Sequence, residues 1–541
     1  MSDGFVTVAQ CVEGLPLGRF VWEVLLCAFL MWFMLGAINE TTPLAFSQIL
    51  SPPQGDLHSI ATMFAALALG NFSAVLVGGW AADKHGRIAV VRPALLLTVC
   101  CGMVLQSART LSQAVFARLL LGLFSGALLS VVPALVAELL PNKHRGFYLT
   151  IWCSGWPAGA LLSVLVGCFA PNLKWHVFYT ILMVPALIVY FCLRADMLPE
   201  SPRYLYLVGR RDEGYNALQD MYEQEDLILP WGAEAVAVTC APPPPKSEAG
   251  SSSSCGSLCR SRSSAPSSPT AVAAWLAVAM FSISAASQSL KVWMPFLLAR
   301  AAAENPASTL SLLSRVEGLH ASPWAGFVLG GLNSASSALA GPGAALNLLR
   351  VGSPSHLEPD RYVSLVLAQA YAMQLLGVVC CAYASLWARR RQLVQWSLVA
   401  TALLTLLTLC AAQRRKAWLC GPLLGLQLAA QSCSTNFLLA FAAEHFPTSR
   451  RAKVVAGVVF AAQLADFVTP VAGGLLMQRM STAGALAASS ALYVLAWVIS
   501  FRLPLPETAC EASLHDIDDE PRGLEAKSRI RKRDTVGYRT V

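Results

Sequence analysis

Charge is scarce in this chain. Of its 541 residues only 13% are Asp, Glu, Lys or Arg, against about 25% in an ordinary soluble domain. No G-x4-G-K loop of the phosphate-cradling kind occurs, and no nucleophile–base constellation stands out, so nothing points to an enzyme. Metal-ligand spacing is lacking too: Cys255 and Cys259 have no further Cys or His nearby, and no cofactor is implied. Most of the sixteen cysteines fall inside apolar runs and none lies in 300–360. They read as small apolar side chains rather than a disulfide framework. A cleavable leader is not evident, because the first twenty residues are mixed and the first apolar run is too long for an h-region.

What the chain has instead is length of apolar sequence. The hydrophobic share is 55% and the mean hydropathy is +0.55. A lipid hydrocarbon core about 30 Å thick needs ~20 apolar helical residues per crossing. Twelve runs qualify: 20–47, 58–82, 90–108, 112–137, 146–170, 175–197, 271–299, 361–387, 392–411, 417–442, 452–477 and 482–503. Each is expected to be a helix, since backbone N–H and C=O groups in lipid must be satisfied within the segment. The expected fold class is thus an all-α membrane protein, with the lipid bilayer as its first partner.

The formal net charge of +8 invites a nucleic-acid reading, but the placement of the bases argues against one. They sit in short loops, at span ends and in the tails, as the positive-inside rule describes. With both termini cytoplasmic, the short inner loops carry eleven Lys and Arg and the outer ones six. The Arg414-Arg415-Lys416 cluster runs against that orientation.

A charged pattern occurs twice. Glu138-x2-Pro141-x3-Arg145 returns as Glu444-x2-Pro447-x3-Arg451, 306 residues later, and Pro199-Glu200-Ser201 returns as Pro506-Glu507-Thr508, 307 residues later. Matching punctuation in two apolar halves implies a duplicated six-helix unit, an architecture that places a binding site between the copies. The domain reading is a tail 1–19, a first bundle 20–203, a linker 204–269, a second bundle 270–505 with an outer insert 300–360, and a tail 506–541. The linker holds Pro242 to Pro245 and two serine-rich stretches, a composition that cannot bury a core and reads as disordered.

The loop after the second span, Gly79-Trp80-Ala81-Ala82-Asp83-Lys84-His85-Gly86-Arg87, resembles the G-x3-D-[RK]-x-G-R signature of the major facilitator superfamily. Ile88 stands where that family usually has another base. The second half keeps only Arg389-Arg390-Arg391 at the corresponding place. Arg118-x3-Gly122-x3-Gly126, Glu138 to Arg145 and Pro199-Glu200-Ser201-Pro202-Arg203 resemble the sugar-porter branch and its relatives. Gly18-Arg19-Phe20-x-Trp22, the Glu444 to Arg451 junction, Thr469-Pro470 and the outer insert resemble the synaptic-vesicle-two-related proteins and organic-ion transporters. The seventh span has the single Gln288 rather than paired glutamines. The resemblance covers about 20–505. It implies twelve helices in two pseudo-symmetric six-helix bundles, and a cytoplasmic ion-pair latch drawn from Gly79, Asp83, Gly86, Arg87, Arg118, Glu138, Arg145, Glu200, Arg203, Glu444, Arg451 and Glu507. The alternative is that these charges only anchor span ends at the headgroups.

Ionisable and amide groups inside spans are costly and mark candidate substrate or coupling positions. They are Asn39 and Glu40 in the first span, Gln288 and Lys291 in the seventh, Asn436 in the tenth and Asp466 in the eleventh. Glu40 or Asp466 suits a proton or an organic cation, and Lys291 suits a carboxylate. Glu40 and Lys291 also lie near expected span ends, where snorkelling would explain them. The expectation is a secondary transporter of a small organic ion or polar metabolite, with sugar as the alternative substrate and protons as a coupling partner. A non-transporting homologue serving as a receptor or trafficking protein is the second reading. A monomer is expected, in the plasma membrane by preference and in a vesicle membrane otherwise.

Overall fold

The computed structural model describes residues 6–16, 18–40, 57–141, 145–169, 175–194, 198–232, 236–237, 269–304, 358–413, 417–446, 448–477 and 482–503. Most of the outer insert, much of the linker and the final tail with Glu507 lie outside them. Among the described residues the chain is almost wholly helical. The first half holds α2 (Arg19–Glu40), α3 (Leu57–His85), α4 (Arg87–Gln106), α5 (Leu111–Leu139), α6 (Arg145–Ile151) continued through a 3-10 turn (Trp152–Ser154) into α7 (Gly155–Phe169), and α8 (Trp175–Arg194). The second half holds α11 (Pro269–Glu304), α12 (Glu358–Ala384), α13 (Arg390–Gln413), α14 (Ala417–His445), α15 (Thr448–Met477) and α16 (Thr482–Ser500). Counting α6 to α7 as one, these are the twelve expected spans of a multi-pass membrane protein.

Burial divides each helix by polarity in the sense lipid demands. Trp22, Phe116, Phe191 and Trp396 are exposed on the outside, where hydrocarbon would meet them, while Asn71, Ser125, Gln374, Gln427 and Thr405 are buried between helices. In the first half, α5 crosses α3 at small residues. A Cβ on Gly122 would stand 2.2 Å from the Leu67 carbonyl oxygen, and one on Gly126 would stand 2.5 Å from that of Asn71. Such approach, with no side chain between backbones, is what binds helices in lipid. The halves meet along α3 against α15, and along α6 and α7 against α12. Phe72 rests on Phe460 at 5.6 Å and on Phe467 at 5.7 Å, and Phe147 meets Tyr383 at 5.3 Å.

Two sequence expectations need revision. The first part of the stretch 204–269 is not a disordered tether. It forms α9 (Pro202–Val208) and α10 (Arg211–Glu223), and it packs with the start of the chain. There β1 (Val6–Thr7) pairs in parallel with β2 (Val236–Ala237), and α1 (Val8–Glu13) opens on a Thr7–Gln10 capping box. The Tyr222 hydroxyl donates to the Cys11 carbonyl at 2.8 Å. The Glu225 carboxylate accepts from the backbone N–H groups of Arg19 (3.0 Å) and Phe20 (2.7 Å), capping α2. Composition pointed to disorder because the Pro and Ser tracts dominate the average. The amphipathic run 211–223 that precedes them buries Ala217, Leu218, Met221 and Tyr222. Second, the cysteines are not all unpaired apolar fillers, since Cys381 on α12 is bonded to Cys433 on α14.

Replacing Gly126 with Leu forces side-chain atoms into the Asn71 backbone and is expected to cost about 1–3 kcal/mol or more. Gly457, which has nothing near a built Cβ, is expected to accept Ala with a gain of up to ~1 kcal/mol from helix propensity. Thermal melting of the detergent-solubilised variants checks both signs.

Candidate functional site: a charged end and a central cavity

The charged pattern at the α3–α4 turn is built on Gly86. Its φ of +113° is open to glycine and strained for other residues. A Cβ there would also lie 2.4 Å from a Glu200 carboxylate oxygen. The empty space admits that carboxylate to the N-terminus of α4, where it accepts from the N–H groups of Arg87 (2.9 Å) and Ile88 (3.0 Å), and from Ser201 (3.0 Å). Burial pushes the Glu200 carboxyl up, against the lowering by these donors and by the Arg87 charge. Glu200 is therefore the anionic cap of α4, within its own half.

Arg87 turns inward. Its guanidinium binds both oxygens of Glu138 at 3.0 Å, reaches Asp83 at 3.4 Å and the Ala82 carbonyl at 3.1 Å, and stacks 4.6 Å above the Tyr204 ring. Arg451, from the start of α15 in the other half, approaches the same Glu138 at 3.6 Å. One buried carboxylate thus serves guanidinium groups from both halves. Beside it, a Cβ on Gly79 would stand 2.5 Å from that of Ala456, so the two halves touch backbone to side chain at that level.

Of the other expected latch residues, Arg118 lies elsewhere. Arg118 is buried but sits twenty residues before Glu138 on the same helix. At 1.5 Å per residue that is roughly 30 Å away, so Arg118 belongs to the opposite end of the bundle. Arg203 is buried on α9, Arg145 begins α6, and Glu444 is the penultimate residue of α14.

The second assembly is a cavity of about 170 Å³ between the halves. Asn39, Glu40, Gln288, Lys291, Asn436 and Asp466 all line it. Glu40 and Lys291 do not snorkel away from each other. The lysine ammonium donates to the Glu40 carboxylate at 2.5 Å, the Tyr371 hydroxyl donates to its other oxygen at 2.7 Å, and the Trp156 indole N–H lies 3.4 Å from the first. Asp466 accepts from the Gln463 carboxamide at 3.1 Å. Asn39 donates to its own helix at Leu35 and faces Asn71, which is fully buried and accepts from Ser125 at 2.9 Å.

Sequence reasoning missed Tyr371, Trp156, Gln374, Gln431, Gln463 and Asn71. It weighed charged and amide groups only where they fell near motif or span landmarks. An amide or indole amid a run of Ala and Leu, such as Asn71 or Gln374, carried the same signal. With these included, six carboxamides (Asn39, Gln288, Gln374, Gln431, Asn436 and Gln463) share the cavity with Trp32, Trp156 and Phe64.

Comparison with known proteins agrees with this architecture. Residues 21–235 match the family described as sugar (and other) transporter. The niacin transporter NiaP of Acinetobacter baylyi is 33% identical over 218 residues, covering 39% of this chain and 48% of that one. The rat synaptic vesicle 2-related protein is 25% identical over 240 residues, covering 43% of this chain and 42% of its own. The chain thus spans about half the length, or less, of the curated relatives it matches. The solved structure of the proton:xylose symporter XylE bound to 6-bromo-6-deoxy-D-glucose superposes with a TM-score of 0.62 at 15% identity. It covers 92% of this chain and 98% of that one, and it carries the same fold of the major facilitator superfamily.

The two glutamates at the charged end are expected to separate cleanly on substitution. Glu138→Gln weakens the tie between the halves, so Cys153, which lines the cavity, is expected to become more accessible from the side of the charged end. Glu200→Ala removes a cap worth about 1 kcal/mol and lowers the melting temperature without changing that accessibility. Sided cysteine labelling and thermal melting of both variants check the contrast.

Proposed function

We propose that this chain, a member of the major facilitator superfamily, is a secondary transporter of a small, single-ring polar solute, with Asp466 taking up a cation during transport. The observation that carries the reading is the lining of the central cavity. A carboxamide both donates and accepts, and so does a hydroxyl or amide on a neutral solute. Six carboxamides around one space therefore suit a ring whose edge bears such groups. Trp32, Trp156 and Phe64 offer flat apolar surface for its faces. The volume fits as well, because an apolar cavity of roughly 150 Å³ holds a molecule of benzene size.

Charge decides the rest. Glu40 and Lys291 cancel, and Asp466 is left facing the cavity with a carboxamide for company. A carboxylate in a low-dielectric cavity needs a positive partner or a proton. A proton makes the transporter a symporter of a neutral solute. A cationic ring makes Asp466 its counter-ion, a second reading favoured by the aromatic walls. The tie at Glu138 and Arg451 supports alternating access, since it joins the halves on one side of the cavity and can break when they rock. The relative named as a niacin transporter and the family described as sugar (and other) transporter support single-ring solutes, and the plasma membrane is the favoured location, with a vesicle membrane the alternative. A receptor of the same fold would bind such a ring without accumulating it.

Uptake of labelled pyranoses, pyridine carboxylates and ring amines into cells lacking background transport tests the reading. Accumulation of one class is expected, driven by an inward proton gradient if the solute is neutral. Asp466→Asn is expected to lower that accumulation at least ~10-fold, in line with loss of a buried charge partner, while surface expression stays at the wild-type level. Binding without accumulation across the panel would favour the receptor.

A further inference from the structure

The two halves line the central cavity unequally. From the first come Trp32, Phe64, Leu67, Ala68, Leu129 and Trp156, an apolar wall. The amide and carboxylate of that half are already engaged, Asn39 at Leu35 and Glu40 at Lys291 and Tyr371. Five of the six carboxamides, Gln288, Gln374, Gln431, Asn436 and Gln463, come from the second half. Two of these five point to a ligand. Gln374 donates its amide N–H to Ser432 at 2.6 Å, and Gln431 turns its own toward Thr435 at 3.5 Å. Thr435 spends its hydrogen on the Gln431 main-chain carbonyl at 3.0 Å, so its oxygen accepts and the sense of that carboxamide is fixed. Both side chains are at least nine-tenths buried, and the Oε1 atom of each has no hydrogen-bond partner among the described residues. A buried carbonyl oxygen left without a donor is costly, and both belong to residues of the cavity lining.

The apolar wall is braced from behind. Trp32 on α2 meets Trp152 edge to face with ring centroids 4.5 Å apart, and Trp156 at 6.2 Å. Trp152 is buried on the 3-10 turn and is not part of the lining. Beside these rings α2 and α7 run backbone to backbone. A Cβ on Gly36 would stand 2.3 Å from the Trp156 carbonyl oxygen, and one on Gly155 would stand 2.4 Å from that of Phe29. Neither helix can turn beneath its indole without collision, so the flat surface is set before a solute arrives and costs little ordering on binding.

We propose that the solute is a flat ring carrying its polar groups, hydrogen-bond donors among them, on one edge only, with that edge on the second half and the rest of its surface on Trp32 and Trp156. Trp152 is a positioning residue for Trp32. This rests on the reading above of a single-ring solute and narrows its class to aromatic amides and amines. A pyranose bears hydroxyls round its perimeter. Those turned to the first half would meet Leu67, Ala68 and Leu129 and give up water without gaining a partner, at a cost for each. An aromatic ring presents bare carbon there. Its N–H groups supply what the two glutamine oxygens lack, whereas a carboxylate brings only further acceptors.

The test is calorimetric binding of benzamide, cyclohexanecarboxamide, benzoate and glucose to the purified protein. Cyclohexanecarboxamide keeps the amide and puckers the ring, and benzoate keeps the ring and loses the donors. Benzamide should bind about fivefold tighter than cyclohexanecarboxamide, the scale of one aromatic pair. It should bind at least ~10-fold tighter than benzoate or glucose, the scale of a buried polar group left unpaired. Trp32→Leu and Trp152→Leu should each bring the benzamide to cyclohexanecarboxamide ratio close to one. Trp152→Phe, which keeps a ring against Trp32, should restore it. A Trp152 that only stabilised the fold would weaken both compounds alike and leave the ratio in place. Trp32→Leu carries the test should Trp152→Leu fail to assemble. Equal binding of benzamide and cyclohexanecarboxamide, benzoate or glucose binding as well as benzamide, or a ratio indifferent to Trp32→Leu overturns the proposal. Binding needs no uptake. If the pattern holds and no solute accumulates in cells, transport is overturned and this assignment stands; if a pyranose accumulates and binds ahead of benzamide, the reverse holds.

Discussion

Glu138 is fully buried and is held by Arg87 from its own half and Arg451 from the other. The charged end of the molecule is organised around that carboxylate. Removing one member of a buried pair costs about 3–5 kcal/mol, so the cluster resists partial disruption and favours two whole states, joined or parted. Arg87 is aimed at Glu138 because α4 begins where it does. It begins there because Gly86 can take a backbone turn that leaves room for the Glu200 carboxylate. A glycine without a side chain thus determines where the guanidinium of the next residue can point.

The same device recurs at the first span. Gly18 precedes Arg19 as Gly86 precedes Arg87, and a Cβ on Gly18 would occupy the place of the Glu225 carboxylate that caps α2. Both capping glutamates come from the segment after the sixth span. Besides the apolar side chains it buries, that segment fixes the starting points of two transmembrane helices through four backbone hydrogen bonds. Its role in the fold is to set register, which explains why its own sequence looks so unlike the helices it orders.

The spans were legible in the sequence because lipid imposes a length and polarity that few other folds share. The small-residue crossing at Gly122 and Gly126 was legible for the same reason. Partnership was harder to read. Arg118 and Glu138 stand close in motif space and roughly 30 Å apart in the helix, since a helix separates at 1.5 Å per residue whatever its motifs suggest. Glu200 was grouped with groups that join the halves, and it caps a helix within one. Tyr371 carried no charge to draw notice, yet its hydroxyl completes the Glu40 cluster. Such contacts depend on which helix faces which, and no single stretch of sequence encodes that.

The short ladder between Val6–Thr7 and Val236–Ala237 has a bearing on how the chain is made. Its strands lie 230 residues apart, and both precede Pro269, where the seventh span begins. A ribosome delivering this chain would release everything needed to close the first half, beginning to end, before any of the second had emerged. The first bundle can be fastened as a finished piece in the membrane and then receive its partner, and the order of synthesis becomes the order of assembly.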